Sequence, residues 1–323
     1  VIELQSVSKI FQVAKRPLVA VDNVSFQIAE GEVAGLVGES GCGKSTLAKL
    51  LVRLEKPTSG QIFFQGKNLD GTLKDRSICR NLQMIFQDPF SSLDPRMTIQ
   101  GLIEEPLVIH QLPKAGIVKK LLELVGLPTA ATDRFPHEFS GGQRQRIAIA
   151  RALALNPKCL ICDEPLASLD VSMQAQIAHL LKRLQKELKL TYLFITHDLA
   201  MLRLVADKIF VMYFGQIVEI ATTETLFTNP LHPYTQLLLA SIPIADPILE
   251  KKRVRFPIVG EPPSPFHPPR GCPFSSRCPK AMSMCREVKP ELKEVAEGHQ
   301  VACHLVNRIG DRFSLIYPNR VYL

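Results

Sequence analysis

The chain has 323 residues, 46% hydrophobic and 22% charged, with no tryptophan, which is the composition of a globular protein with one large core or two moderate ones. Its net charge of +8 is uneven, with 26 basic and 23 acidic side chains in residues 1–230 and 13 and 8 in residues 231–323. No basic run exceeds Lys251-Lys252-Arg253, which argues against a nucleic-acid stripe. The most apolar long stretch, residues 199–218, is broken by Arg203, Asp207 and Lys208, which argues against a membrane-spanning helix.

In chain order, residues 1–5 have no basic flank or apolar segment and are not read as a signal peptide. Alternating polar and apolar residues predict short strands at 2–5 and 19–28. Residues 33–37 form a buried apolar run, followed by a glycine-rich loop and a helix with Leu47, Leu50, Leu51 and Leu54 on one face. Residues 88–157 are expected to be largely helical, ending in a helix that starts near Ser140. A central strand is expected at 159–162, an amphipathic helix at 174–190, a buried strand at 192–195, and a hairpin turning at Phe214-Gly215. Strands alternating with helices imply a mostly parallel α/β sheet. After about residue 230 the texture changes: 13 of the 24 prolines fall there, seven of them between Pro257 and Pro273. A domain boundary near 230 is expected, with an irregular, loop-rich extension over 231–323.

The loop is Gly38-Glu39-Ser40-Gly41-Cys42-Gly43-Lys44-Ser45-Thr46, a G-x-x-x-x-G-K-[ST] pattern. Its glycines let backbone N–H groups turn inward on phosphates, and it opens a helix whose N-terminus favours anions. Lys44 is the expected contact to the β- and γ-phosphates, and Ser45 a Mg²⁺ contact. Asp163, at the end of the strand, is the second Mg²⁺ contact, and the adjacent Glu164 is placed to polarise the attacking water.

Ser140-Gly141-Gly142-Gln143, continued by Arg144-Gln145-Arg146, resembles the signature motif of ATP-binding cassette (ABC) proteins. The resemblance covers residues 1–230. It implies a P-loop NTPase fold with a RecA-like core, an antiparallel β subdomain and a helical subdomain at about 88–157. It also implies that Ser140–Gln143 serves the nucleotide of a partner cassette, so that two cassettes enclose two ATP molecules. Gln87 matches the Q-loop, which touches Mg²⁺ and water and abuts the membrane partner; Ser168-Leu169-Asp170 matches the D-loop of the dimer interface; His197 matches the switch histidine; and Phe11 matches the aromatic that stacks on adenine. Phe139 stands where leucine is commoner.

Residues 88–96, His232-Pro233-Tyr234-Thr235 and the block from Gly260 to His304 resemble the dipeptide/oligopeptide importer ATPases. Within that block Cys272, Cys278, Cys285 and Cys303 are spaced C-x₅-C-x₆-C-x₁₇-C. Four thiolates in a segment with little core suit a tetrahedral metal or cluster. The resemblance implies a [4Fe–4S] cluster, with Zn²⁺ the alternative that spacing leaves open. A cytosolic setting argues against disulfides.

These features imply an ATP-hydrolysing subunit on the cytoplasmic face of the membrane. Its partners would be a second, related cassette, two integral permease subunits and, indirectly, an extracytoplasmic peptide-binding protein, with no nucleic acid. An importer of nickel or another small solute is the near alternative. A soluble ABC ATPase of ribosomes or DNA fits less well, because there is one cassette, Ser140 lies only 53 positions after Gln87, and no sustained heptads occur. An ordinary P-loop kinase leaves residues 140–143 unexplained.

Overall fold

Two sheets organise the chain in the computed structural model, which describes residues 1–69, 76–88, 92–167, 169–242 and 260–306. The smaller is antiparallel and contains β1 (Ile2–Val13), β2 (Arg16–Ile28), β4 (Ser59–Phe64) and β5 (Lys67–Asn68), in the order β2-β1-β4-β5. The larger contains β3 (Val33–Val37), β6 (Leu82–Ile85), β7 (Cys159–Asp163), β8 (Thr191–Thr196), β9 (Lys208–Tyr213), β10 (Gln216–Thr222), β11 (Lys293–Ala296) and β12 (His299–Val301). Its order is β11-β12-β10-β9-β3-β8-β7-β6, parallel from β9 through β6 and antiparallel beyond β9.

Strands β3, β7 and β8 are buried at every residue, as expected where both faces of a parallel sheet are covered. Their side chains divide by period two between two cores. Val33, Val37, Leu160, Cys162, Tyr192 and Phe194 join the helical side, while Ala34, Leu36, Cys159, Ile161, Leu193 and Ile195 face the antiparallel sheet.

The helices are α1 (Lys44–Leu51), α2 (Arg76–Asn81), α3 (Ile99–Ile109), α4 (Ile117–Leu124), α5 (Gly141–Leu153), α6 (Val171–Leu188), α7 (Leu199–Val205), α8 (Thr223–Thr228), α9 (Pro233–Ser241) and α10 (Ser283–Glu287). Helix α1 packs on β7 and β8, while α3, α4 and α5 pack on one another and α5 reaches β6. The core is thus α/β with a helical group and an antiparallel group attached.

Three details differ from the sequence expectation. Strands β1 and β2 run 12 and 13 residues, because register shifts around Val7 and a positive φ of 50° at Ser6 interrupt the alternation without ending the pairing. Helix α1 stops at Leu51, leaving Leu54 60% exposed. The C-terminal segment is not wholly irregular: β12 pairs with β10 through Glu219↔Val301 and Ile220↔Gln300 and extends the main sheet. All four residues of β11 are exposed, so no apolar pattern announces that hairpin.

Candidate active site

The phosphate loop leaves β3 and enters α1 through Gly43, whose φ is +108°. A Cβ at Gly43 would run into the Ala20 carbonyl of β2, and one at Gly38 into the Met212 carbonyl of β9. Only glycine lets the loop pass between these two backbones. Lys44 is 5% exposed; its Nζ donates to the Gly38 carbonyl at 2.7 Å and the Glu39 carbonyl at 2.9 Å. The first turn of α1 (residues 44–47) holds no acidic residue of its own to compete with an anion at the helix N-terminus. Burial pushes the Cys42 thiol up, opposed in part by Lys44.

Asp163 closes β7. The Ser45 hydroxyl donates to its Oδ1 at 3.3 Å. Burial raises the Asp163 carboxyl, and the Ser45 hydrogen bond works against that rise. These two hard oxygens fit Mg²⁺, which takes few protein ligands beside water and substrate phosphates, and a cation there would offset the burial of the carboxylate.

Glu164 adopts a left-handed conformation, φ 44°, and its N–H is fixed by the Ile195 carbonyl of β8 at 2.8 Å. Such a conformation costs a non-glycine residue about 1 kcal/mol or more, and here it turns the carboxylate off the strand end. Gln87 Nε2 donates to Glu164 Oε2 at 3.2 Å, and His197 Nδ1 stands 3.3 Å from Oε1. Two linked groups therefore stand at one end of the parallel sheet, Ser45 with Asp163, and Glu164 with Gln87 and His197.

Ser140 caps α5. Its Oγ accepts from Gln143 N–H at 3.4 Å, and Gln143 Oε1 accepts from Ser140 N–H at 3.0 Å. This reciprocal box leaves the N–H groups of Gly141 and Gly142 at helix positions that have no intrahelical acceptor. Among the described residues, no hydrogen bond or ion pair joins residues 140–143 to residues 38–46. A Cβ at Gly142 would meet Met173 at the start of α6, and one at Gly141 would touch Leu169. Asp170 caps α6, accepting from Met173 N–H at 2.9 Å. Ser168 lies outside the described residues. Phe11 is half-buried opposite Leu18, two positions along β2 from Ala20, with Lys9 Nζ 4.8 Å from its ring centroid.

Residues 21–167 match the ABC transporter family, and residues 218–285 match the oligopeptide/dipeptide transporter C-terminal region. The putative oligopeptide transport ATP-binding protein YkfD of Bacillus subtilis (strain 168) is 55% identical over 298 residues, 90% of this chain and 91% of the relative. The oligopeptide transport ATP-binding protein AppF of the same organism is 48% identical over 319 residues, 94% and 97% of the two chains. The chain belongs to the ABC transporter family. It is an ATP-hydrolysing cassette of the oligopeptide/dipeptide type.

A dimeric structure of the ATP-binding cassette MJ0796, in a post-hydrolysis state bound to ADP and Pi, is similar at TM-score 0.63 and 29% identity, over 69% of this chain and 99% of that one. The cassette cbiO1 from Clostridium perfringens is similar at TM-score 0.64 and 30% identity, over 71% and 90%.

Beyond the cassette, Cys272, Cys278, Cys285 and Cys303 line one cavity of about 10 Å³ together with His304. Burial pushes Cys272 up to about 11 and Cys303 up to about 12. Among the described residues, no group of three or more His, Cys, Asp or Glu is arranged to hold a metal ion. The thiols line this cavity without forming such a group. His299 does not join them; its Nε2 is 2.8 Å from the buried Glu219.

Two residues next to the phosphate loop carry no sequence signal for that position. The Tyr234 hydroxyl accepts from Glu39 N–H at 2.9 Å, and Arg277 makes a two-point ion pair with the Glu39 carboxylate. In the sequence Tyr234 belongs only to the His-Pro-Tyr-Thr segment, and Arg277 only to the cysteine block.

Proposed function

We propose that this cassette hydrolyses ATP to drive uptake of di- or oligopeptides through integral permease subunits, working on the cytoplasmic face of the membrane with a second, related cassette. One observation carries the reading. The chain gathers Gln87 and His197 around Glu164, while among the described residues no hydrogen bond or ion pair joins its signature segment, Ser140–Gln143, to its own phosphate loop. A segment with free helix N–H groups and no nucleotide of its own suits the phosphates held by a partner.

On ATP binding, Lys44 exchanges the Gly38 and Glu39 carbonyls for the β- and γ-phosphates. Ser45 and Asp163 would hold Mg²⁺, which supplies charge neutralisation at the phosphate oxygens. Glu164 accepts a hydrogen bond from the attacking water and orients it. Gln87 and His197 hold its two carboxylate oxygens, and His197 sits 62% exposed where a γ-phosphate can reach it. Phe11 supplies a ring for the adenine. Leu169 and Asp170 stand beside the signature helix and accompany it to the dimer interface.

Beside Gln87 an open groove of about 260 Å³ is lined by Leu54, Met84, Phe86, Pro106 and Ile109. Phe86 and Ile109 are 43% and 57% exposed, which suits an apolar element of a permease. No helix among the described residues is long and apolar enough to cross a membrane. The four thiols lining one cavity support a ligand set for a [4Fe–4S] cluster, while burial, which disfavours the thiolate form, opposes it. Iron and sulfide in the anaerobically purified chain support that ligand set; zinc alone at one per chain overturns it.

The transport reading is tested by deleting the gene, measuring uptake of a labelled oligopeptide, and identifying what co-purifies with the tagged chain. Lost uptake, restored by the wild-type chain and accompanied by multispanning membrane proteins, supports the reading. Retained uptake, or ribosomes or DNA without membrane proteins, overturns it.

A further inference from the structure

The C-terminal extension reaches into the nucleotide site at Glu39, the second residue of the phosphate loop. Arg277 Nη1 donates to Glu39 Oε2 at 2.8 Å and Nη2 to Oε1 at 3.0 Å, a two-point guanidinium–carboxylate pair. The Glu39 N–H donates to the Tyr234 hydroxyl at 2.9 Å, and the Glu39 carbonyl accepts from Lys44. This loop residue is therefore held at its carboxylate, its N–H and its carbonyl at once.

The holding groups are themselves fixed. The Arg277 side chain is 5% exposed, and its Nη1 also reaches the Tyr213 hydroxyl at 3.3 Å. Tyr213, Tyr234 and Phe274 pack with ring centroids 4.6, 5.3 and 5.5 Å apart, and the Arg277 guanidinium lies 5.9 Å from the Phe274 ring. Arg277 N–H bonds the Phe274 carbonyl at 3.0 Å, which places it in the turn between Cys272 and Cys278. Hydrogen bonding to Glu39 raises the Arg277 guanidinium, against the lowering effect of burial, so Arg277 carries its charge at the pair.

We propose that Arg277 and Tyr234 are positioning residues for nucleotide: from outside the cassette core they hold Glu39, and with it the phosphate loop, in the shape that receives phosphates. When Lys44 leaves the Gly38 and Glu39 carbonyls for a nucleotide, the loop loses two internal hydrogen bonds. The bonds from Arg277 and Tyr234 remain, so the loop need not be reordered as the ligand arrives, and preorganisation of this kind raises affinity without touching the ligand. The extension is then part of the nucleotide site.

The test measures mant-ADP binding to the full chain with Mg²⁺, for wild type, Arg277→Met, Arg277→Lys and Tyr234→Phe. Arg277→Met keeps the stem that packs on Phe274 and removes the charge; Tyr234→Phe removes one hydroxyl. The expected result is a Kd about tenfold higher for Arg277→Met at unchanged stoichiometry, with partial recovery in Arg277→Lys. For Tyr234→Phe the Kd is expected to rise about threefold. The KM for ATP should rise in step while kcat stays within about twofold. A wild-type Kd in Arg277→Met, or fewer sites at a wild-type Kd, would overturn the proposal by reducing the pair to a fastening for the extension. Should Arg277→Met fail to fold, Tyr234→Phe decides alone, and its unchanged Kd overturns the proposal. Failure of the wild-type chain to bind mant-ADP would instead remove the phosphate-loop assignment on which this inference rests.

Discussion

Glu164 and His197 face each other from the ends of adjacent parallel strands, with Oε1 and Nδ1 3.3 Å apart. Gln87 bonds the other carboxylate oxygen, so the carboxylate is oriented from both sides. Glu164→Gln keeps the shape and removes the charge proposed to orient water. Steady-state phosphate release should fall by about 10²- to 10⁴-fold while ATP binding stays within about twofold. His197→Ala should lose a smaller part of the rate, about 10- to 100-fold, because it removes a supporting contact. Phosphate release measured beside nucleotide binding checks both.

The glycines of the phosphate loop are not equivalent. Gly43 has φ +108° and no room for a Cβ beside the Ala20 carbonyl, whereas Gly41 has φ +78° and open space. Gly43→Ala should displace the loop and abolish measurable nucleotide binding. Gly41→Ala carries only the cost of a left-handed alanine, about 1 kcal/mol, and should still bind. Equilibrium binding and thermal melts of the two variants make the comparison.

Native-state alkylation should sort the cysteines of the cassette. Cys159 is fully buried and pushed up to about 12, and burial raises Cys162 as well, whereas Cys79 is exposed. The thiolate is the reactive form. At pH 8, iodoacetamide should label Cys79 within minutes and leave Cys159 and Cys162 unlabelled until the chain is unfolded, as read by peptide mass spectrometry.

The groove beside Gln87 gives a fourth test. Ile109→Asp puts a charge on an exposed apolar side chain, which folding tolerates but an apolar partner does not. Peptide uptake and membrane association should fall at least about fivefold, while ATP hydrolysis by the detached chain stays within about twofold.

The glycine-rich turn into α1 and the Ser140 helix cap were legible because each is a contiguous motif tied to one backbone shape, whereas Asp163-Glu164 after a strand is a weak signal alone and drew its weight from the rest of the pattern. Gln87 and His197 carry little signal alone, and only the resemblance to a family singled them out. Strand lengths were missed where a bulge at Ser6 broke the period, and the β11–β12 hairpin where exposed residues show no alternation. The pair between Arg277 and Glu39 spans 238 residues and has no pattern along the chain. Only folding brings it together, so a contact that ties the extension to the nucleotide loop could not be read beforehand.

Peptide uptake by cells whose only copy of this chain is Glu164→Gln tests the account at its centre. The complex should assemble on the membrane in wild-type amount, bind ATP, and take up labelled oligopeptide at the background level of the deletion strain. Uptake near the wild-type rate would mean that hydrolysis at Glu164 does not drive transport.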